Sequence, residues 1–309
     1  MSQGDVNGYV LSGVVIPEEV LVHLVSFADL PTLLACRLVC RVWRELVDSQ
    51  ALRRKLKREG HRYHSSRAVD VSADLPLDLY CSIFDKDPYG RNLLKNPCGE
   101  EGLKHWTVLR DGGDRLVVET APGGCDPVPA EAGGSSCFAT SYGDCSKEQW
   151  VDLVRAGVPA RVLDGLRPAV HVGEWYANRF DCGAMYSLTV SLCDAGRVAL
   201  VQHTCRKQMA DGENTSWTKK SHIFENYPVG VRYVRFCHKG VDTKFWAGHY
   251  GAKMTGSFVI LTFLRDKSGC GCEDSDNDGP TSGDEVVSLD SSSCEDFFSD
   301  EFSSEEDHS

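Results

Sequence analysis

No apolar run in the 309 residues approaches the roughly 20 needed to cross a bilayer. The opening residues, Met1-Ser2-Gln3-Gly4-Asp5-Val6-Asn7-Gly8, are polar where a secretory leader would be basic and then apolar. A soluble, cytoplasmic protein without a transmembrane segment is the expectation, and Asn214-Thr215-Ser216, a formal glycosylation acceptor, is then expected to stay unmodified. Catalytic signatures are missing as well. There is no Gly-rich phosphate loop ending in Lys-Ser/Thr, no Gly-x-Ser-x-Gly elbow and no His-Glu-x-x-His, which argues for a non-catalytic protein without a cofactor. Cationic side chains stop at Lys267: residues 268–309 hold 14 of the 45 acidic residues and no Lys or Arg. The remainder has 31 acidic against 33 basic residues, so the body of the chain is near neutral and the net charge of −12 belongs to its end.

Cysteine is plentiful, with 14 residues, but its spacing is uninformative. Cys36-x3-Cys40, Cys137-x7-Cys145 and Cys270-x-Cys272 form no pair of CxxC knuckles, and no His pair at ligand spacing accompanies them. Free thiols and no metal are expected, with Cys36 and Cys40 packing as small apolar side chains. The region 265–309 is rich in Ser, Asp, Glu and Gly and poor in large apolar groups, so a disordered, solubilising acidic tail is expected there. Ser303-Ser304-Glu305-Glu306-Asp307 within it resembles an acidophilic kinase site, and Phe297, Phe298 and Phe302 are a weak partner-binding signal.

What is present begins at residue 16. Val20, Leu21, Leu24, Val25, then Leu34, Leu38, Val39, Val42, Trp43 and Leu46 recur at helical spacing. Pro17 and Pro31 suit the first turns of helices. Two or three short amphipathic helices cannot bury their own apolar faces, so this unit must dock on something; spacing leaves open whether that is another protein or the rest of this chain. After it, Ala51 to Glu59 reads as a basic helix with a solvated face, ended by Gly60. It is too short and too poor in aromatics for a nucleic-acid site. Residues 61–86 read as a linker containing a further short helix, and 1–14 as a flexible lead-in.

From Asp87 the texture changes to short β-branched and aromatic runs separated by turn residues: Thr107–Leu109, Leu116–Glu119, Ala169–Val172, Tyr186–Leu192, Arg197–Val201, Val231–Phe236 and Phe258–Phe263. Tyr186, Leu188, Val190 and Leu192 alternate with polar residues, which argues for an antiparallel β-sandwich over 87–264, interrupted by one helix at Lys147–Val154. The fold class is thus α+β: a small all-α module over 15–60, a linker, and a sandwich. Trp246, followed by Gly248 and Gly251, suits a tight loop presenting an indole, although Phe245 and Trp246 read equally well as strand or core residues. For Trp43, Trp106, Trp150, Trp175 and Trp217 core packing is the default.

Ile16-Pro17-x-Glu19-Val20-Leu21, Leu30-Pro31 and Val39-Cys40-Arg41-x-Trp43 together resemble an F-box, with Ile16 in place of the usual Leu. Three further blocks, Gly90–Leu103, Cys137–Tyr142 and Asp242–Thr255, resemble the F-box-associated domain of the sugar-recognising F-box proteins. The resemblance covers residues 16 to about 264. It implies a Skp adaptor and a cullin-RING ligase core as partners, met through Ile16, Pro17, Val20, Leu21, Leu24, Leu30, Pro31, Leu34, Val39 and Trp43. It implies a sandwich of about ten strands whose end loops hold the inner chitobiose of N-glycans on misfolded glycoproteins. Tyr142, Phe245 and Trp246 match the family's aromatic positions, while Ala247 stands where its best-known glycan binder has Lys. A substrate-recognition subunit acting in ER-associated degradation is the implied function. The alternatives are a receptor for protein clients without sugar binding, and a lectin-like chaperone outside any ligase.

Overall fold

The computed structural model describes residues 8–11, 13–70 and 75–263; the expected acidic tail over 265–309 lies outside the described residues. Part of the expected flexible lead-in is instead a hairpin, β1 (Gly8–Leu11) paired antiparallel with β2 (Val14–Pro17), turned at Gly13 with φ +80°. Pro17 ends β2 in extended backbone and starts α1 (Glu18–Val25), whose first turn carries Glu18 and Glu19 against the helix dipole. Helix α2 (Leu30–Cys36) is capped by the Asp29 carboxylate, which accepts from the Thr32 N–H at 2.9 Å, and Pro31 lies in its first turn. Helix α3 (Arg41–Leu46) runs through a π turn at Val47–Ala51 into α4 (Leu52–Glu59).

The expectation that α4 is a simple solvated face is corrected. Ala51, Leu52, Lys55 and Leu56 are buried, and Arg58 bends back over α1. Its guanidinium donates to the Ser26 hydroxyl at 2.8 Å and the Ser26 carbonyl at 2.7 Å, and lies 4.0 Å from the Phe27 ring centroid. The cation is a strap because Ser26, at the end of α1, has a carbonyl no helical N–H can reach. The segment read as a linker is packed as well: α5 (Leu77–Asp85) buries Leu79, Tyr80 and Ile83.

Ten strands then build the sandwich. They are β3 (Thr107–Asp111), β4 (Val117–Glu119), β5 (Cys137–Ala139) and β6 (Cys145–Asp152), followed by two short helices, α6 (Leu153–Ala156) and α7 (Ala160–Gly165). After them come β7 (Ala169–Ala177), β8 (Ala184–Cys193), β9 (Ala199–Met209), β10 (Thr218–Phe224), β11 (Tyr233–Asp242) and β12 (Lys253–Thr262). One five-stranded sheet has the order β10-β7-β12-β5-β4, the other β3-β6-β11-β8-β9, and every pairing is antiparallel. Tyr186, Leu188, Val190 and Leu192 face the core, as their alternation requires.

The helix expected at Lys147–Val154 is a strand. Its residues pair with β3 on one side and β11 on the other, which places Lys147, Gln149 and Val151 inside the sandwich, and only Leu153–Ala156 is helical. Tertiary pairing overrides the helical spacing of Trp150, Val151 and Val154. Of the five tryptophans assigned to the core only Trp106 is buried; Trp43, Trp150, Trp175 and Trp217 are half-buried.

The connections divide between the two ends. Loops 112–116, 140–144, 178–183, 210–217 and 243–252 gather at one end, because Asp111 pairs with Cys145, Ala184 with both Asp242 and Met209, and Lys253 with both Ala139 and Ala177. The exception is 120–136, which reaches these loops: the Gly124 carbonyl accepts from the Phe180 N–H at 2.9 Å and the Asp126 N–H donates to the Thr215 carbonyl at 3.0 Å. The helical module meets the other end. The Ala68 carbonyl accepts from the Phe263 N–H at 2.7 Å and the Thr262 hydroxyl at 3.0 Å, and Tyr89 packs on Phe263 with centroids 5.2 Å apart. Asp87 receives the backbone N–H of His64 at 2.5 Å and of Ser65 at 2.9 Å, closing the junction.

Candidate functional site

The loop end is built around Asp242, the last residue of β11. Its buried carboxylate accepts the N–H of Lys244 at 3.0 Å and of Phe245 at 2.6 Å through one oxygen, an Asx turn. Phe245 is thereby held at φ +55°, a left-handed backbone that a bulky side chain rarely adopts. The strain turns two rings outward: Phe245 is 64% exposed and Trp246 42%. Strain of this kind persists only where surrounding bonds over-determine it, and here they do. Ser141 donates its hydroxyl to the Gly248 carbonyl at 2.7 Å, Gly248 donates its N–H to the Asp114 carboxylate at 2.5 Å, and Gly251 donates to the Thr140 carbonyl at 3.1 Å. A side chain at Gly251 would stand 2.3 Å from the Thr140 hydroxyl, so only glycine allows this approach.

These bonds bring the loop of Tyr142 beside that of Phe245 and Trp246, so the three aromatics named from sequence share one end of the sandwich. Tyr142 is half-buried, and the aromatic neighbour of Trp246 is Tyr250, with centroids 5.5 Å apart at 88°. Arg179 sits 4.3 Å from the Tyr250 centroid and grips Asp181 through two bonds of 2.9 Å. That fork holds the Asp181 carboxyl below the usual carboxylate range. Lys244 places its ammonium 4.5 Å from the Trp246 centroid while donating to the Asp181 carbonyl at 3.0 Å and to the Asp211 carboxylate. Sequence reasoning named the rings and missed Asp242, Lys244 and Tyr250. The Asp-Thr pair opening the loop was a readable turn signal; the convergence of Lys244 with Asp181 and Asp211, 63 and 33 residues away, was not.

At the helical end Val20, Leu24, Pro31 and Val42 are exposed, with Leu38 at 78% and Val39 at 68%. Leu30, Leu34, Ile16 and Trp43 are partly covered, and Pro17 is open. Leu21 departs from its expected contact role: at 5% exposure it belongs to the chain's own core. Among the described residues no cluster of His, Cys, Asp and Glu could hold a metal ion, the eleven cysteines are unbridged, and no helix is long and apolar enough to cross a membrane.

A helical module with an apolar face exposed among the described residues, joined to a sandwich whose opposite end carries an aromatic ledge, defines a two-ended binding protein. Residues 14–59 match the F-box-like family and residues 84–261 the F-box associated region. The chain is 39% identical over 250 residues to F-box only protein 6 of Rattus norvegicus, covering 80% of this chain and 86% of that one. It is 38% identical over 252 residues to F-box only protein 6 of Homo sapiens, covering 80% and 83%. With F-box only protein 27 of Mus musculus the identity is 38% over 258 residues, covering 80% and 89%. The chain belongs to the F-box only proteins that carry an F-box associated region. F-box proteins act as substrate adaptors of Skp–cullin–F-box ubiquitin ligases.

Proposed function

We propose that the chain is the substrate-recognition subunit of such a ligase, docking on the Skp adaptor through its helical end and capturing N-glycosylated clients on the Phe245–Trp246 ledge. The ledge carries the reading: two adjacent rings are turned largely to solvent by a strained, multiply bonded loop. A sugar ring has a C–H face that stacks on an aromatic plane and a rim of hydroxyls that needs hydrogen bonds. Tyr142, Trp246 and the polar groups at Asp181, Asp211 and Lys244 offer both. The inner chitobiose of glycans on misfolded glycoproteins is the inferred ligand, and cytoplasmic quality control linked to ER-associated degradation the inferred setting. The adaptor contributes proximity, raising the effective concentration of client lysines near charged ubiquitin.

Trp246→Ala is expected to weaken glycoprotein capture at least ~30-fold, the ~2 kcal/mol of a buried aromatic anchor, while adaptor binding stays intact. Capture that survives the substitution, or survives endoglycosidase treatment of the lysate, removes the carbohydrate reading. Ala247, which offers no donor, favours one alternative: a ligase receptor for protein clients that has lost sugar binding. Retained capture after deglycosylation would support it. A chaperone acting outside any ligase would not co-purify the Skp adaptor.

A further inference from the structure

Ala247, directly after Trp246, offers no side-chain donor, yet an ammonium stands at the ledge. It comes from Lys244, three residues earlier, 4.5 Å from the Trp246 centroid. We infer that Lys244 is the donor and specificity-determining residue of the ledge, taking over from a different backbone position the hydrogen-bonding role that Ala247 cannot fill. The inference rests on the proposed sugar-binding function.

The geometry around the ammonium is that of a held donor. Lys244 is tied to the Asp181 carbonyl in the 178–183 loop and to the Asp211 carboxylate in the 210–217 loop, so its long side chain is ordered before any ligand arrives. Those bonds use two of its three N–H groups, leaving one for a ligand hydroxyl or acetamido carbonyl. Asp211 keeps the ammonium charged by holding it above the ordinary lysine range. The route to the ledge is also fixed. The left-handed backbone at Phe245 reverses the chain between Lys244 and Trp246, which lets the lysine fold back onto the next-but-one indole. Tyr250 meets the same indole edge-on, so Trp246 is braced by a cation and a ring and keeps 42% of its surface open. An uncharged N-acetylhexosamine ring stacked there would meet a donor at its rim, with the half-exposed Asp211 carboxylate beside it to accept from its hydroxyls.

The test is calorimetric titration of the full chain with N,N′-diacetylchitobiose. Lys244→Met is expected to weaken binding roughly 10–100-fold, the loss of a charge-assisted bond, with an unchanged melting temperature. Lys244→Gln, which keeps an N–H, should lose less. Adding Ala247→Lys to Lys244→Met should recover most of the loss, an outcome that a merely structural lysine would not give. If Trp246→Ala abolishes binding but Lys244→Met leaves it unchanged, the lysine assignment fails and sugar recognition stands. If the double variant does not recover, Lys244 only braces the loops and the donor role is wrong. Should Trp246→Ala itself leave chitobiose binding intact, the underlying sugar reading falls first.

Discussion

Lys147 lies wholly inside the sandwich, its Nζ 3.1 Å from the Trp106 centroid and 3.3 Å from that of Phe138, without a hydrogen-bond partner. Two ring faces attract a cation, but a desolvated cation–π contact is worth about 2 kcal/mol and the effective cost of burying an ion several. Burial therefore pushes the amine well below the ordinary lysine value, with the nearby Glu174 opposing that shift. Glu174 accepts from Tyr186 at 2.8 Å, Ser257 at 2.8 Å and His238 at 2.6 Å, so its demands are met by neutral donors. The unfolded chain binds a proton at this lysine that the folded chain releases, so stability rises with pH up to the unfolded lysine value of about 10.4. Lys147→Met is expected to stabilise the protein by about 1–3 kcal/mol near neutrality, the cost of an unsatisfied buried group, and to flatten the rise of melting temperature with pH. A variant less stable than the parent at neutral pH would show that the ammonium is charged and held by the rings.

At the scale of elements, the sharpest contrast is between α4 and β6. Both carry helical spacing, and only one is a helix. The residues of α4 have a local reason to stay helical: Leu52 and Leu56 bury one face, and Arg58 ties the helix to α1. Removing that tie with Arg58→Ala should cost about 1–3 kcal/mol in urea unfolding, since the Ser26 carbonyl and hydroxyl lose a charged partner. Arg58→Lys should not restore it, because one ammonium cannot replace the fork over Phe27. A midpoint unchanged in Arg58→Ala would reduce the strap to a surface contact. Strand β6 owes its form to β3 and β11, which come from residues 107–111 and 233–242. No local pattern announces partners that distant.

For the whole molecule, the arrangement is end to end. The helical module joins the sandwich where β12 finishes, and the ledge lies where β12 begins, about 30 Å away along a ten-residue strand. Perturbing one end should therefore leave the other untouched. Leu38→Asp and Val39→Asp are expected to abolish co-purification of the Skp adaptor while changing stability by no more than ~0.5 kcal/mol, because both side chains already face water. Leu21→Asp is expected to unfold the module instead, because it puts a charge into the core. Adaptor binding that persists in both exposed variants would place the docking face elsewhere. Equal destabilisation by all three changes would mean that the exposed patch is covered by the chain.

The order of the two parts and the antiparallel class of the sandwich were legible in the residues themselves, whereas the ledge aromatics were singled out only through the family resemblance. Helical spacing, alternation and turn-forming Gly and Asp are local properties, and family motifs are short enough to be read whole. Only the fold could separate Leu21 from Val20, turn 147–152 into a strand, and deliver Lys244 to Trp246. Those outcomes depend on which distant segments pack together, and a side chain's burial or partner is set by neighbours that its own stretch of sequence does not contain.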